Sequence, residues 1–170
     1  VGSEMCIRDS SNICVQKDDF HEILNIVLKA DVLVFAAPNY YGSLNGIATC
    51  FWERTFCLRH QERFPLEGKR CIAIALERQE NGPALNHIKK MMLSNKMEVV
   101  STYSNPGRTQ CYDCGFGHEC PVGSVYGHLG LCSAEYAKEN RPPEYNDDDE
   151  AKERVKELGR HLCRLNNGIC

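Results

Sequence analysis

Between Asp31 and Pro38 the chain reads Val-Leu-Val-Phe-Ala-Ala, an unbroken apolar run. A strand with one wet face alternates polar and apolar residues. A strand covered on both faces reads as a continuous run, which is the pattern of a parallel sheet. Neighbouring parallel strands must be joined by a crossover, usually a helix, so helical sequence is expected on both sides. Phe20, Ile23, Leu24, Val27 and Leu28 supply it upstream at the spacing of one helix face, with Asp18 and Asp19 at the start, predicting a helix over roughly 18–30. Leu44, Ile47, Ala48, Phe51, Trp52 and Thr55 supply it downstream, over roughly 44–58.

The alternation continues. Arg70 to Leu76 reads as a second buried strand, a Gly-Pro step opens a helix over roughly 83–95, and a third strand is expected near 97–103. Residues 105–146 have little periodicity and are rich in Gly, Cys, Tyr and Pro. An acidic run at 147–150 then starts a last helix with Ala151, Val155, Leu158 and Leu162 on one face. The expected fold class is α/β, a doubly wound parallel sheet in three layers. Two features make its beginning odd. The first helix has no strand before it, and residues 1–10 have no helix or strand period and read like the in-frame translation of a sequencing adapter. Residues 1–10 are therefore expected to be foreign, with the native sequence over 11–170.

Composition narrows the function classes. A net charge of −3 with 25% charged residues gives no basic surface for nucleic acid or for a membrane. The apolar run is too short to span a bilayer, and the N-terminus lacks a secretory pattern, so a cytoplasmic protein is expected. Eleven cysteines are many for such a chain. Cys50, Cys57, Cys71 and Cys163 fall in apolar-periodic segments as small hydrophobes. Cys111, Cys114 and Cys120 lie in the aperiodic stretch, with His118 among them and Cys132 further on. Their C-x-x-C plus third-Cys spacing fits Zn or Fe–S ligation, or a loop of thiols without metal.

In open α/β sheets ligands bind beyond the carboxyl ends of the strands. Two loops leave such ends, 38–43 and 77–82. The first has a stiff Pro38, aromatic surface at Tyr40 and Tyr41, and Gly42, where a backbone can approach a flat ligand. The residue types alone suit a planar cofactor and an ordinary capped turn equally.

The motifs carry a resemblance. Cys14-Val-Gln-Lys-Asp-Asp-Phe20, Ala30-Asp31 and Ala37-Pro-Asn-Tyr-Tyr-Gly-Ser43 resemble the NAD(P)H-dependent FMN reductase and iron–sulfur flavoprotein group. Phe51-Trp-Glu-Arg-Thr55 continues the match, with Glu53 where the family has Asp, and so does Leu66-Glu-Gly-Lys69. The match is continuous from about Cys14 to Leu76. It implies a flavodoxin-like domain lacking its first strand, first helix and second strand, and with them the Ser/Thr-rich loop that holds the FMN phosphate. It also implies two-electron transfer from NAD(P)H through FMN to a small-molecule or protein acceptor, and a homo-oligomer. An edge left without its neighbouring strand would favour aggregation.

By position, Pro38, Asn39, Tyr40, Tyr41, Gly42 and Ser43 would line the flavin ring. Glu77, Arg78, Gln79 and Gly82 occupy the family's second flavin loop, although the family has small residues and paired glycines there. Cys14 would be the last of an N-terminal cysteine set and cannot hold a cluster alone. No side chain is assigned as acid, base or nucleophile, because the flavin carries the chemistry. The alternative is a small metal-binding or Fe–S electron-carrier α/β protein using Cys111, Cys114 and Cys120.

Overall fold

A computed structural model of the chain describes residues 12–165. The expectations that residues 1–10 are foreign and that earlier elements are missing lie outside the described residues. The chain divides into two compact units, Val1–Asn105 and Pro106–Cys170.

The first unit runs α1 (Phe20–Lys29), β1 (Val32–Tyr40), β2 (Ser43–Leu44), α2 (Gly46–Arg54) with a 3-10 continuation (Thr55–Glu62), β3 (Arg70–Leu76), α3 (Pro83–Ser94) and β4 (Glu98–Asn105). The sheet order is β2-β1-β3-β4. β1, β3 and β4 are parallel, and β2 folds back antiparallel onto the end of β1. Pairing of β1 with β3 runs in step from Val32 opposite Arg70 to Pro38 opposite Leu76. Between Cys71 and Ile72 the register with β4 shifts, leaving Val100 as an extra residue on β4. The expected strands and helices are therefore present in the expected order. The three parallel strands stand as the last three do in a 2-1-3-4-5 sheet.

Local chemistry sets the element ends. Asn45 caps α2, its side-chain oxygen accepting the Ala48 N–H at 3.2 Å. Pro83 opens α3 at a position where no N–H is needed. Lys69 donates its ammonium to the Leu28 carbonyl at 3.3 Å and to the Ala30 carbonyl, placing a cation at the end of α1. The preceding Gly68, at φ 72°, makes the left-handed turn that delivers Lys69 there.

All three helices of this unit share one face of the sheet. Phe35, Ala37, Cys71, Ala73 and Ala75 form one core with Leu24 and Val27 of α1, Trp52 of α2, and Ile88 and Met92 of α3. Aromatic rings bind α1, β1 and α2: Phe35 lies 5.5 Å from Phe51 and 5.0 Å from Trp52, and Phe20 meets Phe51 edge-on at 5.9 Å. The uninterrupted apolar reading holds for β3, whose Cys71, Ile72, Ala73 and Ala75 are all buried. It fails in part for β1, where Val34 is 53% exposed and Ala36 is exposed. Cys57 and Cys71 are buried as expected, but Cys50 is exposed and Cys163 is disulfide-bonded.

The second unit contains α4 (Ser124–Leu129), α5 (Ala134–Glu139) and α6 (Asp149–Leu165), with 3-10 turns at Gln110–Tyr112 and Tyr145–Asp147. The stretch expected to be a bare loop thus holds two helices, each of 6 residues and too short to show a period. Arg108 pairs with Asp113 at 2.9 Å and Glu144 at 2.8 Å, and Arg141 reaches Asp113 at 3.3 Å. α6 buries Ala151, while Val155, Leu158 and Leu162 are only half-buried. Among the described residues no helix is long and apolar enough to cross a membrane.

One ion pair locks the entry to α1 onto α2. Arg54 grips both Asp18 oxygens at 2.7 and 2.8 Å and lies 4.0 Å above the Phe20 ring. The hydrogen bond from Arg54 holds the Asp18 carboxyl below its usual 3.8. A carboxyl with a lowered folded-state pKa adds stability above its unfolded value and loses it as pH falls through the folded one. Asp18→Asn should therefore lower the melting temperature near neutral pH. The gap from wild type should shrink below the ordinary value of 3.8 and close in stronger acid. Thermal melts across that range check this, and a gap that persists in acid would refute it.

Candidate functional site

The chain leaves the carboxyl ends of β1 and β3 through two loops. The first is tighter than its sequence suggested. β1 continues through Pro38 and Asn39 to Tyr40, and Ser43 already belongs to β2. Only Tyr41, at φ 52°, and Gly42, at φ 76°, form the turn. Two successive positive φ angles are the signature of a two-residue hairpin turn that matches strand twist. Gly42 suits its position, and Tyr41 holds a conformation uncommon for a residue with a Cβ.

This turn presents aromatic surface. Tyr40 is 60% exposed and Tyr41 is wholly exposed. A Cβ placed on Gly42 would meet nothing within 4 Å, so the backbone there is open to an approaching group. The Gly42 N–H, however, is engaged by the Asn39 side-chain oxygen at 2.9 Å. Ser43 is half-buried, with its hydroxyl 3.1 Å from His87 Nδ1 on α3.

The second loop turns its charge inward. Glu77 is only 5% exposed. Its Oε2 accepts the Ala84 N–H at 2.9 Å and the Asn39 side-chain N–H at 3.0 Å, and its Oε1 accepts the Leu85 N–H at 3.0 Å. Gly82 follows from this geometry, because a Cβ there would lie 2.5 Å from Glu77 Oε2. Arg78 and Gln79 are exposed. The structure thus brings Asn39 and Glu77 together. It leaves Tyr40, Tyr41, Arg78 and Gln79 outside and assigns Glu77 and Gly82 to the interior of their loop. Sequence reasoning missed His87 and the bridging role of Asn39. One signal was available for Glu77: α3 begins after Gly82, which has no side chain to cap it, so the cap must come from a distant residue.

The family model for NADPH-dependent FMN reductase matches residues 2–108. The chain belongs to the NADPH-dependent FMN reductase family. It is also similar to an iron-sulfur flavoprotein of Archaeoglobus fulgidus, 26% identical over 132 residues, an alignment that covers 76% of this chain and 60% of that protein. The chain therefore spans less than two thirds of that relative's length. Among solved structures it is similar to the Trp repressor binding protein from Bacillus subtilis, with a TM-score of 0.41 and 18% identity over 72% of this chain and 70% of that one.

The residues at the first loop fit the ring of this family's flavin, through exposed aromatic surface and an open glycine at the carboxyl end of a parallel strand. Neither loop carries a Ser/Thr-rich phosphate cradle. Among the described residues the cysteines gather into no metal site. Cys111 Sγ accepts the Ser124 N–H at 3.4 Å, and Cys114 donates its thiol to the Cys111 carbonyl at 3.3 Å. Among the described residues no group of three or more His, Cys, Asp or Glu side chains is placed to hold an ion, so the expected Cys111, Cys114 and Cys120 ligand set draws no support. Cys14 is buried and accepts a hydrogen bond from Arg54 at 3.3 Å. A cavity of about 210 Å³ beside Cys111, lined also by His118, Val125, Lys138 and Arg141, is smaller than the pockets that enclose drug-sized ligands.

The thiols differ in chemistry. Hydrogen bonds from Ser124, with a smaller part from the Val125 N–H, hold Cys111 below its usual range. Burial, with the Glu98 carboxylate adding to it, pushes Cys71 up to about 11. Iodoacetamide near neutral pH should label Cys111 in the native protein and leave Cys71 untouched until the chain unfolds. Peptide mass spectrometry over a labelling time course reads this out, and early modification of Cys71 would contradict it.

Proposed function

We propose that the chain acts as an FMN-dependent NAD(P)H oxidoreductase whose flavin ring lies at the Pro38–Ser43 hairpin. The observation that carries the reading is the exposed Tyr40–Tyr41–Gly42 turn at the carboxyl end of β1, in a chain of the FMN reductase family. Bound there, the flavin would supply the two-electron chemistry between a nicotinamide donor and an acceptor. The chain's own part is to bind and orient. Tyr40 and Tyr41 offer aromatic surface, and open backbone at Gly42 admits close approach. Pro38 and the pairing of Asn39 and Tyr40 with Leu44 and Ser43 keep the turn rigid. The family description favours NADPH over NADH as donor. Thiol ligation as the working chemistry draws no support from the directions the Cys111 and Cys114 sulfurs take.

Titrating the purified chain with FMN should quench flavin fluorescence. Adding NADPH anaerobically should bleach the visible bands. Tyr41→Ala should weaken FMN binding about tenfold, the scale of one lost aromatic contact. A wild-type chain that leaves both the fluorescence and the spectrum of FMN unchanged overturns the reading.

A further inference from the structure

The geometry points to Glu77 as a positioning residue: through Asn39, its buried carboxylate holds the Tyr41–Gly42 turn in the form that receives the flavin ring. The inference rests on the proposed function for its flavin part, and on the hydrogen bonds alone for its structural part.

A chain of four hydrogen bonds joins the start of α3 to the turn. Ala84 and Leu85 lie in the first turn of α3, where N–H groups have no partner within the helix. Gly82, the capping position, has no side chain to offer. Glu77 reaches back from the end of β3 and takes both N–H groups, one on each oxygen, at 2.9 and 3.0 Å. Oε2 has a second lone pair, and the Asn39 amide N–H fills it at 3.0 Å. Asn39 then has its oxygen left for the Gly42 N–H at 2.9 Å. The amide can sit only one way round, because flipping it would set oxygen against carboxylate and N–H against N–H.

The turn needs such a hold. Tyr41 sits at φ 52°, a conformation that costs free energy for a residue with a Cβ and persists only where its surroundings impose it. The two strand pairs of β2 support it from one side only. Asn39 supports it from within, and Asn39 is itself fixed by a charge that cannot leave, since a buried carboxylate without donors is costly. No shorter or neutral side chain does the same. Gln at this position offers one acceptor oxygen and an N–H₂ group, so at least one of the three donors would face another donor.

The test uses the full chain as wild type, E77Q, N39A and the double variant, with I88A as a control. Ile88 is a fully buried α3 residue whose side chain makes none of these hydrogen bonds, so I88A lowers stability by loss of packing. Without flavin, hydrogen exchange should quicken in the turn containing Gly42 in both E77Q and N39A, and stay at the wild-type rate in I88A. With FMN, E77Q should weaken binding about tenfold, the scale of one charge-assisted hydrogen bond, well beyond I88A. The double variant should bind no more weakly than the weaker single one, because both break the same chain of bonds. Unchanged exchange at the turn in E77Q overturns the inference, as does additive loss in the double variant or an E77Q affinity no lower than that of I88A. If wild type binds no FMN, the proposed function fails, and the exchange rates still decide whether Glu77 holds the turn.

Discussion

A buried carboxylate is expensive unless its oxygens find donors, and Glu77 meets that demand with three donors from two places: the Ala84 and Leu85 N–H groups in the first turn of α3, and the side chain of Asn39. The demand works in both directions. It caps the start of α3, it crowds any side chain at position 82, and it ties Asn39 of β1 to the loop that follows β3. The strands are already aligned by parallel pairing up to Pro38 and Leu76. Glu77 extends that alignment beyond the sheet, into the loops where an open α/β fold places its ligand. The Glu77 carboxylate thereby ties the second loop to the first.

The core beneath the site is one-sided. α1, α2 and α3 all pack on the face carrying Phe35, Ala37, Cys71, Ala73 and Ala75. That arrangement concentrates the aromatic cluster of Phe20, Phe35, Phe51 and Trp52 directly under β1, the strand that carries the turn. Arg54 closes the cluster at its edge by lying over Phe20 while gripping Asp18. Lys69 does the matching work at the other end of α1. The turn is therefore mounted on a strand whose position is determined from below by packing and from the side by β3.

Much of this was legible because the relevant signals are short-range. Arg70 to Leu76 is both strongly apolar and cleanly bounded, and it forms the strand expected of it. Pro83 opens a helix because its missing N–H is harmless there. The hairpin was not legible: Pro38 reads as a strand end, yet β1 runs through it, and the turn is shorter than its Tyr-Gly sequence advertises. Val34 was not legible either. An apolar run says that a strand tolerates burial on both faces, and the exposure of Val34 depends on what covers it, which no local pattern encodes. Residues 124–129 and 134–139 escaped for a different reason, since a helix of one and a half turns cannot display a period.

The cysteines show where spacing stops being evidence. C-x-x-C places two thiols within reach of a common ion only if both side chains rotate toward it. Here Cys111 accepts the Ser124 N–H, Cys114 turns to the Cys111 carbonyl, and among the described residues no third ligand gathers with them. Gly117 adds to this, because its backbone lies so close to the Cys111 carbonyl that a Cβ would sit 1.9 Å from the oxygen, and the loop closes on protein atoms. The same logic applies in reverse to Glu77. Its sequence context gave it a place beside a cofactor by position, and the hydrogen bonds give it a different task one layer further in. A residue at the right position in a family pattern acts on the ligand directly only when its polar atoms are still free to do so. Where they are spent on the scaffold, its influence on the ligand passes through the geometry it imposes on Asn39 and the Tyr41–Gly42 turn.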